Sequence, residues 1–424
     1  MHDPWPLNTH FHIGSCIMRV LHFYRTYFPD TVGGAEQSIY HLCRAGVDHG
    51  VENTVLTLTA KFDAQRRVNL PGHAVERVPS RFSVASVELS LRVIRRFRQL
   101  AGEADVIHYH FPWPMSDIAQ LAGRVRKPSV VTYHADIQRQ ATLLAMYKPL
   151  MHRFLGSVDR IVATSPNYVA TSKVLREHRD KVEVVPLGLT RNFYPKADEA
   201  LLQKWRERTG GGPFFLFVGV FRYYKGLNVL LDAIQRTGYP VVLVGDGPLA
   251  PELRAYAQKH RIASAHFTGS LPEEDKMALI ELSRAIVFPS HNRAEAFGMT
   301  LLEGAMLGKP MITCEIGTGT SYVNRHGETG LVCAPNDPED LARAMKEMWD
   351  DPHWCELMGR RAALRFEDLF TAHRTALAYR RIYDAVVAEH TSGTAMAGVA
   401  KTAEFRRETA PLSVERDPVV EEKS

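Results

Sequence analysis

Two carboxylates eight residues apart, Glu295 and Glu303, flank a Phe-Gly step in the run PSHNRAEAFGMTLLEGAMLG over residues 289–308. The run follows a strand-sized apolar segment, Ile286–Phe288, and a helical pattern opens near Phe297-Gly298. Glu295 therefore falls in the loop and Glu303 within the helix. The first-turn amides of Gly298, Met299, Thr300 and Leu301 have no intrahelical acceptor, and such a helix start suits a bound phosphate. Glu303, about one and a half turns in, can take two hydroxyls of a ribose, and Glu295 the hydroxyls of a second sugar. A bare pair of glutamates at this spacing arises often by chance. Its setting of strand, loop, Phe-Gly step and small residues makes it informative.

Other side chains have a chemical reading only in context. Arg222 and Lys225 follow a strand in FVGVFRYYKG, residues 217–226, where a basic pair is ordinarily a surface feature. Glu273 and Lys276 stand in FTGSLPEEDK, residues 267–276, which also reads as a capped helix start. The Gly33-Gly34 pair follows the first strand and opens a helix. His134 ends the strand Ser129–Tyr133 and should face a cleft, whereas His108 and His110 are read as wall or acceptor-side residues. The chain contains no D-x-D, and no His, Cys or carboxylate cluster has metal-ligand spacing.

The elements that must position these residues alternate along almost the whole chain. Strand-like runs at Arg19–Phe23, Thr54–Leu58, Val75–Val78, Asp105–Tyr109, Ser129–Tyr133, Arg160–Ala163 and Val182–Val185 are interleaved with helical patterns at Ala35–Asp48, Leu89–Gly102 and Asn167–His178. A charged, loop-rich stretch ends in Gly210-Gly-Gly-Pro213, and strands restart at Phe214–Val218, Val241–Val244, Ala265–Phe267, Ile286–Phe288 and Pro310–Thr313. Three helical stretches follow from Pro338, the last long enough to return across the first domain. The expectation is an α/β protein of two doubly wound domains with a ligand cleft between the carboxyl ends of their strands. The divisions expected are a flexible extension over 1–17, a first domain over 18–190, a linker over 191–213, a second domain over 214–370, a return helix over 371–390 and a disordered tail over 391–424.

Composition narrows the class further. In 424 residues, 45% hydrophobic and 23% charged content is globular, and no run approaches the roughly 20 apolar residues of a bilayer span. Five cysteines without a C-x-x-C pair favour a reducing compartment, hence a cytoplasmic protein. Residues 1–190 hold 23 Lys and Arg against 16 Asp and Glu, more than the whole surplus of +5. The basic run LSLRVIRRFRQL, Leu89–Leu100, reads either as a solvated helix packed on a sheet or as an edge touching anionic lipid. No nucleic-acid motif accompanies the charge.

The segment Glu295-Ala-Phe297-Gly298-Met-Thr-Leu-Leu-Glu303 resembles the E-x7-E signature of retaining GT-B glycosyltransferases of family GT4, and matching features extend from about Arg19 to about Glu389. The resemblance implies that Glu295 contacts the transferred sugar, Glu303 the nucleotide ribose, and the intervening amides the diphosphate. It implies that Arg222 and Lys225 embrace the leaving phosphate, a charge-assisted contact with a developing anion. Gly33 and Gly34 would form the glycine loop near donor phosphate and acceptor, and His134 would contact the donor sugar. Ser270 and Leu271 would line the nucleobase, with Glu273 and Lys276 at its edge, where a carboxylate suits the N–H groups of guanine. One loop departs from the pattern: Glu315-Ile-Gly317-Thr-Gly319-Thr-Ser keeps the glycines but lacks the usual later acidic residue. A GTGTS loop with a His-Ala-Asp segment resembles bacterial polysaccharide and O-antigen transferases, including mannosyltransferases.

The expectation is therefore a retaining, metal-independent hexosyltransferase needing no cofactor beyond its nucleotide-sugar co-substrate. GDP-mannose is the preferred donor and a UDP-sugar the alternative. The acceptor expected is a glycan or polyprenyl-linked glycan, reached by peripheral contact with the anionic inner membrane. A sugar-nucleotide epimerase on the same fold would not need the Glu295/Glu303 constellation, and a non-catalytic partner subunit would not keep it.

Overall fold

A computed structural model describes residues 17–392, apart from 63, 81, 82, 85, 86, 89, 90, 124 and 138–140. The expected extension and tail therefore lie, but for residues 17, 391 and 392, outside the described residues, as does the start of the basic run at Leu89. The strands are β1 (Met18–Phe23), β2 (Val51–Thr59), β3 (Arg67–Leu70), β4 (His73–Pro79), a short hairpin of β5 (Ser83–Val84) and β6 (Val87–Glu88), β7 (Val106–Phe111), β8 (Ser129–Tyr133), β9 (Arg160–Ala163) and β10 (Val182–Val184). All but the hairpin join one sheet in the order β10-β9-β8-β7-β1-β2-β4-β3, parallel except where β3 meets β4. The second sheet holds β11 (Phe215–Val218), β12 (Val241–Val244), β13 (Ala265–Gly269), β14 (Ala285–Phe288), β15 (Met311–Cys314) and β16 (Gly330–Cys333) in the order β13-β12-β11-β14-β15-β16.

Both expected doubly wound domains are present, and their central strands are buried on both faces. That explains their unbroken apolar runs, such as the fully buried Phe215–Val218. The order of strands reverses between β1 and β7 in the first sheet and between β11 and β14 in the second. Ligands of open α/β sheets bind beyond the carboxyl ends at such points. The loops found there carry Gly33-Gly34 on one side, Arg222, Lys225 and Glu295 on the other.

Several local readings need revision. Sequence patterning misses β3, the hairpin, β16 and the helices Pro114–Gly123 and Ala141–Ser157. The helix expected over Asn167–His178 is two helices, because Ser172 leaves helical geometry and its Oγ accepts from the N–H of Leu175 at 3.4 Å. The segment taken as a linker carries the helix Glu199–Arg208, whose Trp205 is buried against the second domain and donates to Asp275 at 2.7 Å. In the basic run, Val93, Phe97 and Leu100 face the core, so its apolar stripe is not available to lipid.

The last helix, Ala372–Ser392, does return across the first domain. Its Tyr379 and Tyr383 are buried and hydrogen-bond Thr132 at 2.6 Å and His108 at 2.7 Å. Among the described residues no helix is long and apolar enough to cross a membrane. The four cysteines among them are buried and unpaired.

Candidate active site

The turn after β11 delivers Lys225 into the second domain's interior. A side chain at Gly226 would collide with the carbonyl of Pro289, and its φ of 68° is left-handed, so that turn needs glycine. Lys225 Nζ lies 2.6 Å from Glu295 Oε2, which also accepts from Ser290 Oγ at 3.1 Å. Lys225 and Glu295 are both buried, so each charge depends on the other. Arg222 is exposed, with no ion-pair or side-chain hydrogen-bond partner among the described residues, and is free to meet an anion.

A second ion pair holds the other end of the constellation. Glu303, on the helix Met299–Met306, is 2% exposed and accepts from Lys276 Nζ at 2.8 Å. Burial pushes its carboxyl up, and the Lys276 ammonium pulls it back toward ionisation. Burial works against the Lys276 ammonium too, but Glu303 and Glu273, the latter at 2.6 Å, raise it overall. Lys276 is therefore committed to two carboxylates rather than free to read a base edge. Tyr194, from the segment taken as a linker, donates to Glu303 at 3.3 Å and stacks on His41 of the first domain at 5.7 Å. Sequence patterning gives no sign of Tyr194, because a single aromatic in a loop has no periodicity.

Gly298 enters the Met299–Met306 helix with φ 94°, and Thr300 Oγ1 donates to the Val218 carbonyl at 3.3 Å. Leu301 corrects the expected set of amides: its N–H donates to the Gly298 carbonyl at 3.0 Å, and its side chain is fully buried. The amides of Gly298, Met299 and Thr300 remain at the helix start, beside buried Phe297. Gly34 of the first domain reaches this turn, since a Cβ there would stand 3.5 Å from Met299 Cγ. A Cβ at Gly33 would lie 2.5 Å from Glu36 Oε2, and Glu36 is already held by Thr26 and Thr31. Ser270 is exposed, and Leu271 is half-buried against the same apolar cluster as Tyr194 and Met299.

His134 sits at the end of β8 as expected. Its Nε2 lies 3.0 Å from His110 Nδ1, and burial followed by the charge of Arg25 pushes it down to about 4. His108 is not a cleft wall, being fully buried beneath the return helix; His110 is buried behind His134, and burial holds both imidazoles neutral. Tertiary structure also brings His22, His108 and His110 together, with one nitrogen from each within 4.8 Å of the others. All their ring nitrogens already make hydrogen bonds, to one another and to Asn53, His134, Thr132 and Tyr383.

A cross-domain clasp completes the geometry. Arg293, two residues before Glu295, places Nε and Nη2 at 3.2 and 2.8 Å from Asp136 Oδ2, two residues after His134. Its Nη1 donates to Thr171 Oγ1 at 2.6 Å and to the Gly317 carbonyl at 2.9 Å. Asp136 in turn accepts from Tyr133 and Ser172, each at 2.8 Å. The loop that departs from the family pattern is thus tied to the first domain through its Gly317 carbonyl. No local pattern points to the clasp, because its two charges lie 157 residues apart.

Residues 200–365 match the family described as "Glycosyl transferases group 1", and residues 32–193 match "Glycosyltransferase Family 4". The chain is 55% identical over 355 residues to D-rhamnosyltransferase WbpZ of Pseudomonas aeruginosa, covering 84% of this chain and 93% of that protein. It is 46% identical over 366 residues to O-antigen chain mannosyltransferase C of Escherichia coli, covering 86% and 98%. Among solved structures, sucrose-phosphate synthase from Thermosynechococcus elongatus superposes with a TM-score of 0.72 at 19% identity, over 88% of this chain and 99% of that one. Matches to both halves of the chain, together with paired sheets facing the two ion pairs, place this protein among the family 4 glycosyltransferases of GT-B fold, as a hexosyltransferase.

Proposed function

We propose that this chain transfers mannose, or its 6-deoxy counterpart D-rhamnose, from a nucleoside diphosphate onto a growing O-antigen type glycan with retention at the anomeric carbon. The observation that carries the reading is the pair of buried Lys–Glu contacts, Lys225–Glu295 and Lys276–Glu303, on either side of the free amides at the Met299–Met306 helix start. Amides and Arg222 bind the diphosphate, Glu303 the ribose and Glu295 the transferred sugar. Lys225 keeps two further N–H donors for the leaving β-phosphate while holding Glu295. The relatives named for mannosyl and D-rhamnosyl transfer support the sugar. The half-exposed Glu273 carboxylate supports a guanine base, whose N1–H and N2–H₂ it can accept.

In the proposed step the C1–O bond to the diphosphate breaks while the acceptor oxygen attacks from the same face. The acceptor proton passes to a β-phosphate oxygen, so that nucleoside diphosphate leaves carrying it. In this step Glu295 orients the transferred sugar rather than attacking C1, with Lys225 and Ser290 holding its Oε2. Metal independence is proposed because the chain has no D-x-D and meets the diphosphate with Arg222, Lys225 and amides. The proposed acceptor is polyprenyl-linked. Of the basic run, Arg96 pairs with Glu76 and Arg98 donates to the Ala122 carbonyl, which leaves Arg92 and Arg95 toward an anionic surface.

The test is diphosphate release from GDP-mannose, GDP-D-rhamnose, UDP-glucose and UDP-N-acetylglucosamine, with and without excess EDTA. Turnover of a GDP-sugar unaffected by EDTA is expected. A preference for a UDP-sugar overturns the base assignment, and loss of activity that Mg²⁺ restores overturns the metal-free step.

A further inference from the structure

Four side chains, three on neighbouring strands and one in the loop after a fourth, form a single file. Asn53 on β2 contacts His22 on β1, His22 contacts His110 on β7, and His110 contacts His134 after β8. The distances from Asn53 Oδ1 to His22 Nε2, from His22 Nδ1 to His110 Nε2, and from His110 Nδ1 to His134 Nε2 are 2.9, 3.1 and 3.0 Å. The first three residues are buried, and His134 alone is partly exposed.

The direction of the file follows from its inner end. Asn53 Nδ2 donates to the Cys43 carbonyl at 2.9 Å and toward the Val51 carbonyl at 3.4 Å. Carbonyls only accept, so the amide nitrogen must be on that side and the amide oxygen must face His22. An oxygen that only accepts requires the proton on His22 Nε2. A neutral His22 then has a bare Nδ1, so His110 must donate from Nε2 and keep a bare Nδ1. His134 must donate from its own Nε2 in turn, leaving Nδ1 without a proton. Burial depresses all three imidazoles, His22 and His134 to about 4, which agrees with neutral rings throughout.

We propose that Asn53, His22 and His110 are positioning residues that hold His134 as the Nε2–H tautomer, so that Nδ1 is offered to the substrate as a hydrogen-bond acceptor. Nδ1 of His134 has no partner among the described residues. The group that meets it is a sugar hydroxyl donating its proton; an ether oxygen or a deoxy position leaves the lone pair unmatched. The inference rests on the reading of His134 as a donor-sugar contact. A metal cage at His22, His108 and His110 is the competing account, and it would have to break bonds that every ring nitrogen already makes.

The experiment is long-range ¹H–¹⁵N correlation on the ¹⁵N-histidine-labelled full chain at neutral pH, with His134→Gln to assign the outermost ring. Protonation on Nε2 of His22, His110 and His134 is expected. Protonation of His134 on Nδ1, or ring signals that move on adding one equivalent of Zn²⁺, overturns the proposal. In Asn53→Leu the His134 signal should become a tautomer mixture, and kcat/KM should fall about tenfold, the equivalent of one hydrogen bond. An unchanged His134 signal in that variant overturns the proposal; if the variant does not fold, the wild-type spectrum decides. Expected tautomers combined with wild-type turnover by His134→Ala would remove the sugar contact and with it the functional half of the inference. That result is distinct from a failed hydrogen-bond file.

Discussion

Replacing Lys225 by Met separates what this lysine does for the fold from what it does for the reaction. Lys225 and Glu295 have side chains 11% exposed each and meet at 2.6 Å, and Ser290 supplies only one further bond to the carboxylate. Removing the ammonium strands a buried charge, a change that costs about 3–5 kcal/mol. Changing Glu295→Gln in the same chain removes that charge while its amide keeps the Ser290 contact. The double variant should therefore recover most of the lost stability, leaving a deficit of about 1 kcal/mol. Activity should behave differently. A cation at the leaving diphosphate contributes about 3 kcal/mol to the transition state, so Lys225→Met should lower kcat at least about a hundredfold. The double variant should stay as slow. Urea unfolding gives the first comparison and diphosphate release the second. If Lys225→Met unfolds at the wild-type midpoint, the buried pair does not stabilise the fold. If the double variant regains turnover along with stability, Lys225 acts only by holding Glu295 and the phosphate role is wrong.

The clasp predicts coupling across the cleft: Arg293→Ala and Asp136→Asn should each raise the donor KM severalfold and be non-additive when combined, whereas additive losses would show two independent sites. Acid should destabilise the fold. His22, His41, His73 and His134 are pushed down to about 4, chiefly by burial, so the unfolded chain takes up protons that the native one cannot. Their contribution is complete above about pH 6.5 and is lost as pH falls toward 4, up to about 3 kcal/mol each. Asp117, pushed up to about 7 by burial, works the opposite way and partly offsets them. A midpoint in urea that rises between pH 6.5 and pH 4.5 would refute the assignment. Co-sedimentation with anionic liposomes should be weak, salt-sensitive and reduced in Arg92→Gln/Arg95→Gln, because two exposed arginines contribute about 1 kcal/mol each at such a surface. Binding independent of lipid charge would show that the basic helix is only a solvated face.

What was legible in the sequence is what local patterning determines. The strand, loop, Phe-Gly step and helix that hold Glu295 and Glu303 lie within about twenty consecutive residues, and hydrophobic period with a glycine start is enough to place both carboxylates. The same holds for the strand ends that carry His134 and the turn that carries Lys225. Partners were decided by sheet order. Lys225 meets Glu295 across 70 residues because β11 and β14 are neighbours, and His22 meets His110 across 88 because β1 and β7 are. Arg293 meets Asp136 only because two separate domains close on each other. No spacing in the chain encodes such a meeting, since side-chain chemistry is read locally whereas proximity is set by how buried strands pack. That is also why Lys276, a base reader by its sequence setting, is the counter-ion of Glu303, and why His108, a wall residue by its strand-end position, lies beneath the returning helix.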